Sequence, residues 1–182
     1  MKNLLLLLGC SVCALAGAQV TFSPGYIVNA KGDTLRGEVR APKNELEPFS
    51  KVFFKDRSGL QKNYKPEKIK AYGVNNDHFV SMPSDGEPAF YKKVVSGHIT
   101  LYVLQFETIR MNTPILDSEY YFSVPNSKSL VVVKEGKFKK QISDYMKDNP
   151  EIAQGYEDKD KKFDPEKAVE IITMYNDWKA HR

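Results

Sequence analysis

The feature that most constrains this chain is a repeated hairpin grammar, in which two short segments of alternating polarity flank a tight turn. It is plainest in GYIVNAKGDTLRGEVR, residues 25–40. Taking Gly32-Asp33 as a two-residue loop pairs Ala30 with Leu35, Val28 with Gly37 and Tyr26 with Val39 on one face, leaving Ile27 opposite Glu38 as the exception. Glycine at the first loop position suits a type II′ turn, whose first central residue has positive φ. A phosphate-holding loop would carry more glycines and run into a helix, whereas the residues after this turn keep a period of two. The stretch reads as a turn between strands and not as an active-site loop.

The same grammar recurs. KVFFKD and LQKNYK flank Arg57-Ser58-Gly59, AFYKKVV and HITLYVLQF flank Ser96-Gly97, and EYYFSV leads to SLVVVKE through a turn that Pro125 can open as type I. PEKIK (66–70) reads as a single helical turn before a short strand near AYGV, and HFVSM as a further strand. Residues 107–116 stay undecided, because Pro114 demotes them from a central strand. Roughly eight to ten short strands with frequent turns predict a strongly bent antiparallel sheet, a barrel or a sandwich.

The period changes after Gly136. Phe138, Ile142, Tyr145 and Met146 share one helical face that DNP (148–150) ends, and a short helical piece, PEIAQGYE, follows. Asp164 can cap a last helix with Pro165 at its first position. Ala168, Ile171, Ile172, Tyr175 and Trp178 form its apolar stripe, with Glu166, Lys167, Glu170, Asp177 and Lys179 on the wet side. The fold class expected is therefore α+β: antiparallel hairpins over 19–135 and a helical section over 136–182, in one domain.

Residues 1–18 stand apart. Lys2 precedes an apolar run from Leu4 to Ala16, and Ala16-Gly17-Ala18 offers an A-x-A-type cleavage site before Gln19. The run is shorter than the ~20 residues a spanning helix needs, so it reads as a secretory signal. The alternative is a lipoprotein anchored at Cys10, since Leu7-Leu8-Gly9-Cys10 resembles a lipobox. That reading leaves five leucines as the whole apolar region, against the ~7–15 residues a signal carries. Cleavage after Ala18 leaves 164 residues, removes both cysteines, Cys10 and Cys13, and leaves 26 Lys and Arg against 23 Asp and Glu. A mature chain of this kind has no disulfide and no thiolate metal site. Its basic residues are interleaved with acids, as in GYEDKDKKFDPEK, rather than concentrated as in a nucleic-acid binder. The expected location is the periplasm or outside the cell.

Catalytic patterns are sparse. His78, His98 and His181 lack ligand spacing. Asp158 and Asp160 open like a calcium loop, but Lys162, Phe163 and Val169 occupy positions where that loop needs an acid, a glycine and a bidentate glutamate. Asp117 and Glu119, two apart, would share a strand face and could act as paired carboxylates. No G-x-S-x-G elbow occurs. No catalytic, cofactor-binding or metal residue is assigned. The aromatic load is more distinctive, at ten Phe, ten Tyr and one Trp. Phe53-Phe54, Phe90-Tyr91 and Tyr120-Tyr121-Phe122, joined by Tyr102 and Phe106, put rings on both faces of the sheet. One ring of each pair suits the core; the other must pack under a helix, line a cavity or stay exposed as a contact patch.

The order of these motifs resembles a group of uncharacterised exported β-rich proteins of Bacteroidetes-type bacteria. The likeness rests on the signal, the GYIV…GDT…G opening (Gly25 to Gly37), Tyr64, Pro66 and Ile69 of a Y-x-P-x-x-I turn, and Tyr72-Gly73. A VVSGHITLY-like hairpin and the DNPEIAQ…YNDWK end complete it. The resemblance implies export and supplies no activity. In such bacteria Asp33-Thr34-Leu35 also resembles an O-glycosylation acceptor. The functional expectation is a non-enzymatic envelope or secreted module that binds a protein, glycan or lipid, with no cofactor and no nucleic acid. The alternative is a small envelope hydrolase using Asp117 and Glu119. A cavity with converging ionisable groups would favour the hydrolase, an apolar groove or aromatic patch the binding module.

Overall fold

The structure, a computed structural model, describes residues 21–40, 50–84, 86–125, 127, 129–157 and 162–182. The readings of residues 1–18, Cys10 and the Asp158/Asp160 pair lie outside them. The elements are β1 (Phe22–Asn29), β2 (Thr34–Arg40), β3 (Val52–Lys55), β4 (Gln61–Tyr64), a 3-10 turn (Pro66–Lys68), β5 (Ile69–Val74), β6 (Asp77–Met82), β7 (Ala89–Val95), β8 (Thr100–Arg110), β9 (Thr113–Ser123) and β10 (Val131–Val132). Among the described residues three helices follow: α1 (Phe138–Tyr145), α2 (Pro150–Gln154) and α3 (Pro165–Ala180).

All ten described strands form one sheet in the order β10-β9-β8-β7-β6-β5-β1-β2-β3-β4, every neighbouring pair antiparallel. The sheet is not closed, which corrects the barrel expectation, and the single sheet corrects the sandwich. Its curvature follows from chain length. Only residues 65–68 join β4 to β5, yet β1, β2 and β3 lie between those strands. Strands ~4.8 Å apart would put β4 and β5 ~19 Å apart in a flat sheet. The connection reaches ~17 Å only when fully extended, and it is wound into a 3-10 turn. The sheet must curl to bring the two strands within reach.

The first hairpin forms where expected, but in another register. Ile27 pairs with Leu35, Val28 with Thr34 and Gly25 with Gly37, instead of Ala30 with Leu35 and Val28 with Gly37. The loop holds three residues, Ala30-Lys31-Gly32, closed by Asn29 N–H donating to the Asp33 carbonyl at 3.0 Å and Gly32 N–H to the Asn29 carbonyl at 3.0 Å. The Asn29 Oδ1 accepts from the backbone N–H of both Gly32 and Asp33 at 2.9 Å. Those bonds hold the wider loop, and Gly32, at φ +102°, supplies the positive φ that ends a three-residue hairpin. The shift is odd, so the buried face changes. Ile27 and Val39 are fully buried, and the exception Ile27–Glu38 disappears. The second hairpin uses the same loop: Asp56 takes the place of Asn29, accepting from Ser58 and Leu60 N–H, and Gly59 has φ +86°.

The undecided segment 107–116 is the tip of a hairpin in which β8 and β9 pair along eleven residues each, from Thr100–Ser123 to Arg110–Thr113. Met111 and Asn112 turn with positive φ, and Pro114 lies in β9 opposite Ile109. Proline is tolerated there because β10 pairs with β9 only at Phe122 and Tyr121, leaving the far side of Pro114 without a strand among the described residues.

Both hydrophobic clusters lie on one sheet face. Ile27, Val39, Phe54, Tyr72, Phe79 and Phe90 fill the curl of β1–β7, with Tyr72 stacked on Phe79 at 4.4 Å and edge-on to Phe90 at 4.9 Å. Burial pushes the Tyr72 hydroxyl far above its usual pKa. Beside it, Leu101 and Phe122 of β8 and β9 meet Phe138 and Ile142 of α1, Ala153 of α2 and Ile171, Ile172 and Tyr175 of α3. The predicted stripe of α3 is thus the buried one, with Trp178 packed at its margin, and Asp164 caps the helix by accepting from Lys167 N–H at 3.0 Å. The predicted wet side holds, although Lys167 and Lys179 are half-buried along their stems.

Candidate functional site

The doubled aromatics separate as strand alternation requires. Tyr120 and Phe122 turn to the helices; the Tyr120 ring lies 4.9 Å from Phe163, and burial raises its pKa. Tyr121 points to the other face, 5.3 Å from Tyr91 and nearly perpendicular to it at 80°. Phe90 enters the core while Tyr91, its neighbour, joins Tyr121. Phe54 enters the core while the Phe53 ring carries the Arg40 guanidinium at 3.8 Å.

On the face away from the helices, Tyr91, Tyr102 and Tyr121 floor a cleft of about 620 Å³. Met82 and Ser123 extend the floor, Pro83 and Ser84 form one wall, and Ser127, Ser129 and Leu130 form the other. The register explains the floor: Tyr102 pairs directly with Tyr121, and Tyr91 lies on the adjacent strand β7. The walls come from the loops after β6 and β9. No charged side chain lines this cleft among the described residues. The Tyr91 ring is buried and its hydroxyl reaches the Pro83 carbonyl at 3.5 Å. Ser127 is held by donating to the Ser129 carbonyl at 2.6 Å.

A second cleft of about 700 Å³ adjoins the first, sharing Tyr121 and Ser84. It differs in character: Leu104 and Phe106 lie beside Glu119, Lys51, Lys65, Glu67 and Glu87. Glu119 links the two by accepting from the Tyr121 hydroxyl at 2.6 Å, which fixes the ring at the boundary.

Asp117 and Glu119 share a face as the sequence implied, but each is engaged separately. Arg110 binds Asp117 at 2.8 Å and Tyr121 binds Glu119. The histidines are scattered: His78 Nδ1 meets the Tyr26 hydroxyl at 3.0 Å, His98 lies against Tyr175 at 5.9 Å, and His181 bonds the Asp177 carbonyl at 2.6 Å. Among the described residues no three His, Cys, Asp or Glu side chains gather as a metal site, and no helix is long and apolar enough to cross a membrane. Thr34 is exposed at the base of the first hairpin loop. Sequence reasoning singled out Tyr121 but not Tyr91 and Tyr102 as its companions. Period two places each ring on a face, but only the pairing of β7, β8 and β9 brings the three together.

No family model, no curated protein and no solved structure matches this chain.

Proposed function

We propose that the protein is an exported, non-enzymatic binding module of the bacterial envelope or its surroundings, which takes its ligand in the tyrosine-floored cleft. The signal-like first eighteen residues support export. The carrying observation is Tyr121: a partly exposed ring at the junction of two clefts, oriented by Glu119, on the sheet face the helices leave uncovered. Concave, largely apolar sites with a few placed polar groups are where small ligands bind. The hydrolase alternative requires Asp117 and Glu119 to act together, and their separate engagement by Arg110 and Tyr121 favours binding.

The test compares Tyr121→Ala with Tyr120→Ala. The mature protein, immobilised, is exposed to protein, glycan and lipid fractions of a bacterial envelope extract. Tyr121→Ala is expected to keep the fold and lose retention of the bound fraction; Tyr120→Ala, taken from the packed face, is expected to lose stability. Equal retention by wild type and Tyr121→Ala would reject the cleft as the binding site. Hydrolysis of a glycan or ester that Asp117→Asn abolishes would replace the proposal with the enzyme.

A further inference from the structure

Apart from the tyrosine-floored cleft, we infer that the gap between β2 and the β3–β4 loop is a second binding site, one for an anionic amphiphile: a small molecule with a carboxylate or phosphate head on an apolar tail. β2 runs on past its neighbour, since it pairs with β3 only from Arg40 to Glu38, where Lys55 is the last partner. The chain then turns away through residues 56–60, closed by Asp56 N–H donating to the Leu60 carbonyl at 3.1 Å. The space left beside Thr34, Leu35 and Arg36 is a cleft of about 630 Å³, within the ~300–1,000 Å³ of small-ligand sites. Its whole lining falls within residues 34–36 and 54–64, all of them described.

The lining sorts into two kinds. Leu35 and Leu60 are 44% and 53% exposed, and both line this one cleft. They are continuous with the core: Phe54 and Tyr64 line the cleft too, Phe54 being buried in the cluster of β1–β7 against which Tyr64 packs. Gly37 permits this, because a Cβ there would meet the Phe54 ring at 2.7 Å. Leucines that open from a core onto the surface are apolar area for a ligand to cover. With them stand three cations, Arg36, Arg57 and Lys62. Asp56 is the acid of the lining, and its Oδ1 already accepts from Ser58 N–H at 2.9 Å, Leu60 N–H at 3.1 Å and the Ser58 hydroxyl at 2.5 Å. Arg36 and Arg57 also line an adjoining cleft of about 510 Å³, so they lie at the seam of the two. The occupant follows from this lining. Guanidinium groups bind carboxylate and phosphate through paired hydrogen bonds, and an apolar tail covers the leucines. A free oxyanion would leave the leucines wet, and a neutral amphiphile would leave the cations unmatched. An acidic peptide adding to the edge of β2 would find only residues 34–37 beyond the last pair with β3, fewer than the ~5–6 of a usual strand.

Titration calorimetry of the mature protein tests the inference, with every amphiphile kept below its micelle concentration. Laurate and dodecyl phosphate supply the two heads, dodecyl maltoside a neutral head, acetate and inorganic phosphate the heads without a tail, and tetra-aspartate an acidic peptide. Saturable binding of laurate, dodecyl phosphate or both is expected, and which of them binds identifies the head. Raising the salt concentration should weaken it, because Arg36, Arg57 and Lys62 are exposed. Arg57→Gln should weaken it about tenfold, the scale of one charge-assisted contact. Leu60→Asn should weaken it about fivefold, the scale of a partly covered leucine. Both residues are exposed in the loop, so the fold should tolerate either change. Lys147→Gln removes the same charge from an exposed position after α1 and should leave binding unchanged. No binding of either anionic amphiphile, equal binding of dodecyl maltoside, a tailless head bound as tightly, or preference for the peptide would overturn the inference. So would indifference to either Arg57→Gln or Leu60→Asn, or an equal effect of Lys147→Gln. Tyr121→Ala separates the two sites and should leave this binding intact. Loss with Tyr121→Ala while Arg57→Gln is silent would put the amphiphile in the tyrosine-floored cleft, ending this inference while the proposed function stands.

Discussion

Asn176 offers the sharpest test of how the helical section is joined to the sheet. Its side chain is 9% exposed and sits on the buried side of α3. The Oδ1 accepts from Ile99 N–H at 2.8 Å and the Nδ2 donates to the Ile99 carbonyl at 2.8 Å, so one amide satisfies both backbone groups of a residue in the β7–β8 turn. Ile99 is itself fully buried, so water does not readily replace either bond. An unsatisfied buried donor or acceptor costs about 1–3 kcal/mol. Asn176→Leu strands both, and allowing for partial relaxation the expected loss is about 2–4 kcal/mol. At about 2–4 °C per kcal/mol for a chain of this length, the melting temperature should fall by about 5–15 °C. Asn176→Asp should also destabilise, because a carboxylate keeps the acceptor for Ile99 N–H but opposes the Ile99 carbonyl with a second acceptor. Gly97 belongs to the same clamp: a Cβ there would lie 2.4 Å from Asn176 Nδ2, so Gly97→Ala should loosen α3 and be less than additive with Asn176→Ala. Urea titration followed by the fluorescence of Trp178, the only tryptophan and two residues away, reads the change. Asp177→Ala, on the exposed side, is the control and should stay within about 0.5 kcal/mol. A loss no larger than the control's for Asn176→Leu would refute the clamp.

Other outcomes follow from the same structure. Gly32→Val should cost about 1–3 kcal/mol in urea titration, since Gly32 has φ +102° and a β-branched residue resists it; an unchanged midpoint would mean the loop relaxes freely. Lys179 first, then Tyr175, by hydrogen bonding hold the Asp148 carboxyl at about 2, below its ordinary 3.8. A depressed folded pKa contributes stability that is present above about pH 4 and is lost as pH falls through about 2, so Asp148→Asn should flatten the acid limb of a melting-temperature profile. Tyr175 is raised to about 12 by burial and by Asp148. Its stabilising contribution is complete below pH ~10 and disappears as pH rises toward ~12; Tyr175→Phe should remove that alkaline loss. Deleting residues 164–182 strips Ala168, Ile171, Ile172 and Tyr175 from the shared core, several kcal/mol at ~25 cal/mol per Å²; aggregation or loss of cooperative melting is expected, and a parent-like melt would contradict it.

The features legible in the sequence are local ones. The turn at Gly32, the Asp164 cap and the α3 stripe rest on interactions within a few residues, and each was visible in the sequence. The register of the first hairpin was missed because alternation permits several registers and the loop was decided by Asn29. Its amide, like the carboxylate of Asp56, marks a three-residue loop as an Asx residue three places before a glycine. Residues 107–116 stay undecided in the sequence because Pro114 argues against a central strand, and the sequence cannot show that β10 stops short of it. Of the cleft, Tyr121 was legible as one ring of a doubled pair with no certain place in the core.

Sequence alone determined the segments, their turns and which residues prefer burial, because backbone propensity, capping and period act over neighbouring residues. Tertiary structure alone decided that the sheet stays open and curls over β1–β7, because a four-residue link must reach past three strands. It also decided which face the helices cover. Asn176, polar and 77 positions from Ile99, becomes the bridge to the β7–β8 turn only once α3 has docked. By docking on the face of Tyr120 and Phe122, the helices leave Tyr91, Tyr102 and Tyr121 to form the floor of the cleft. Which face becomes core depends on contacts far apart in the chain, and no local rule carries that information.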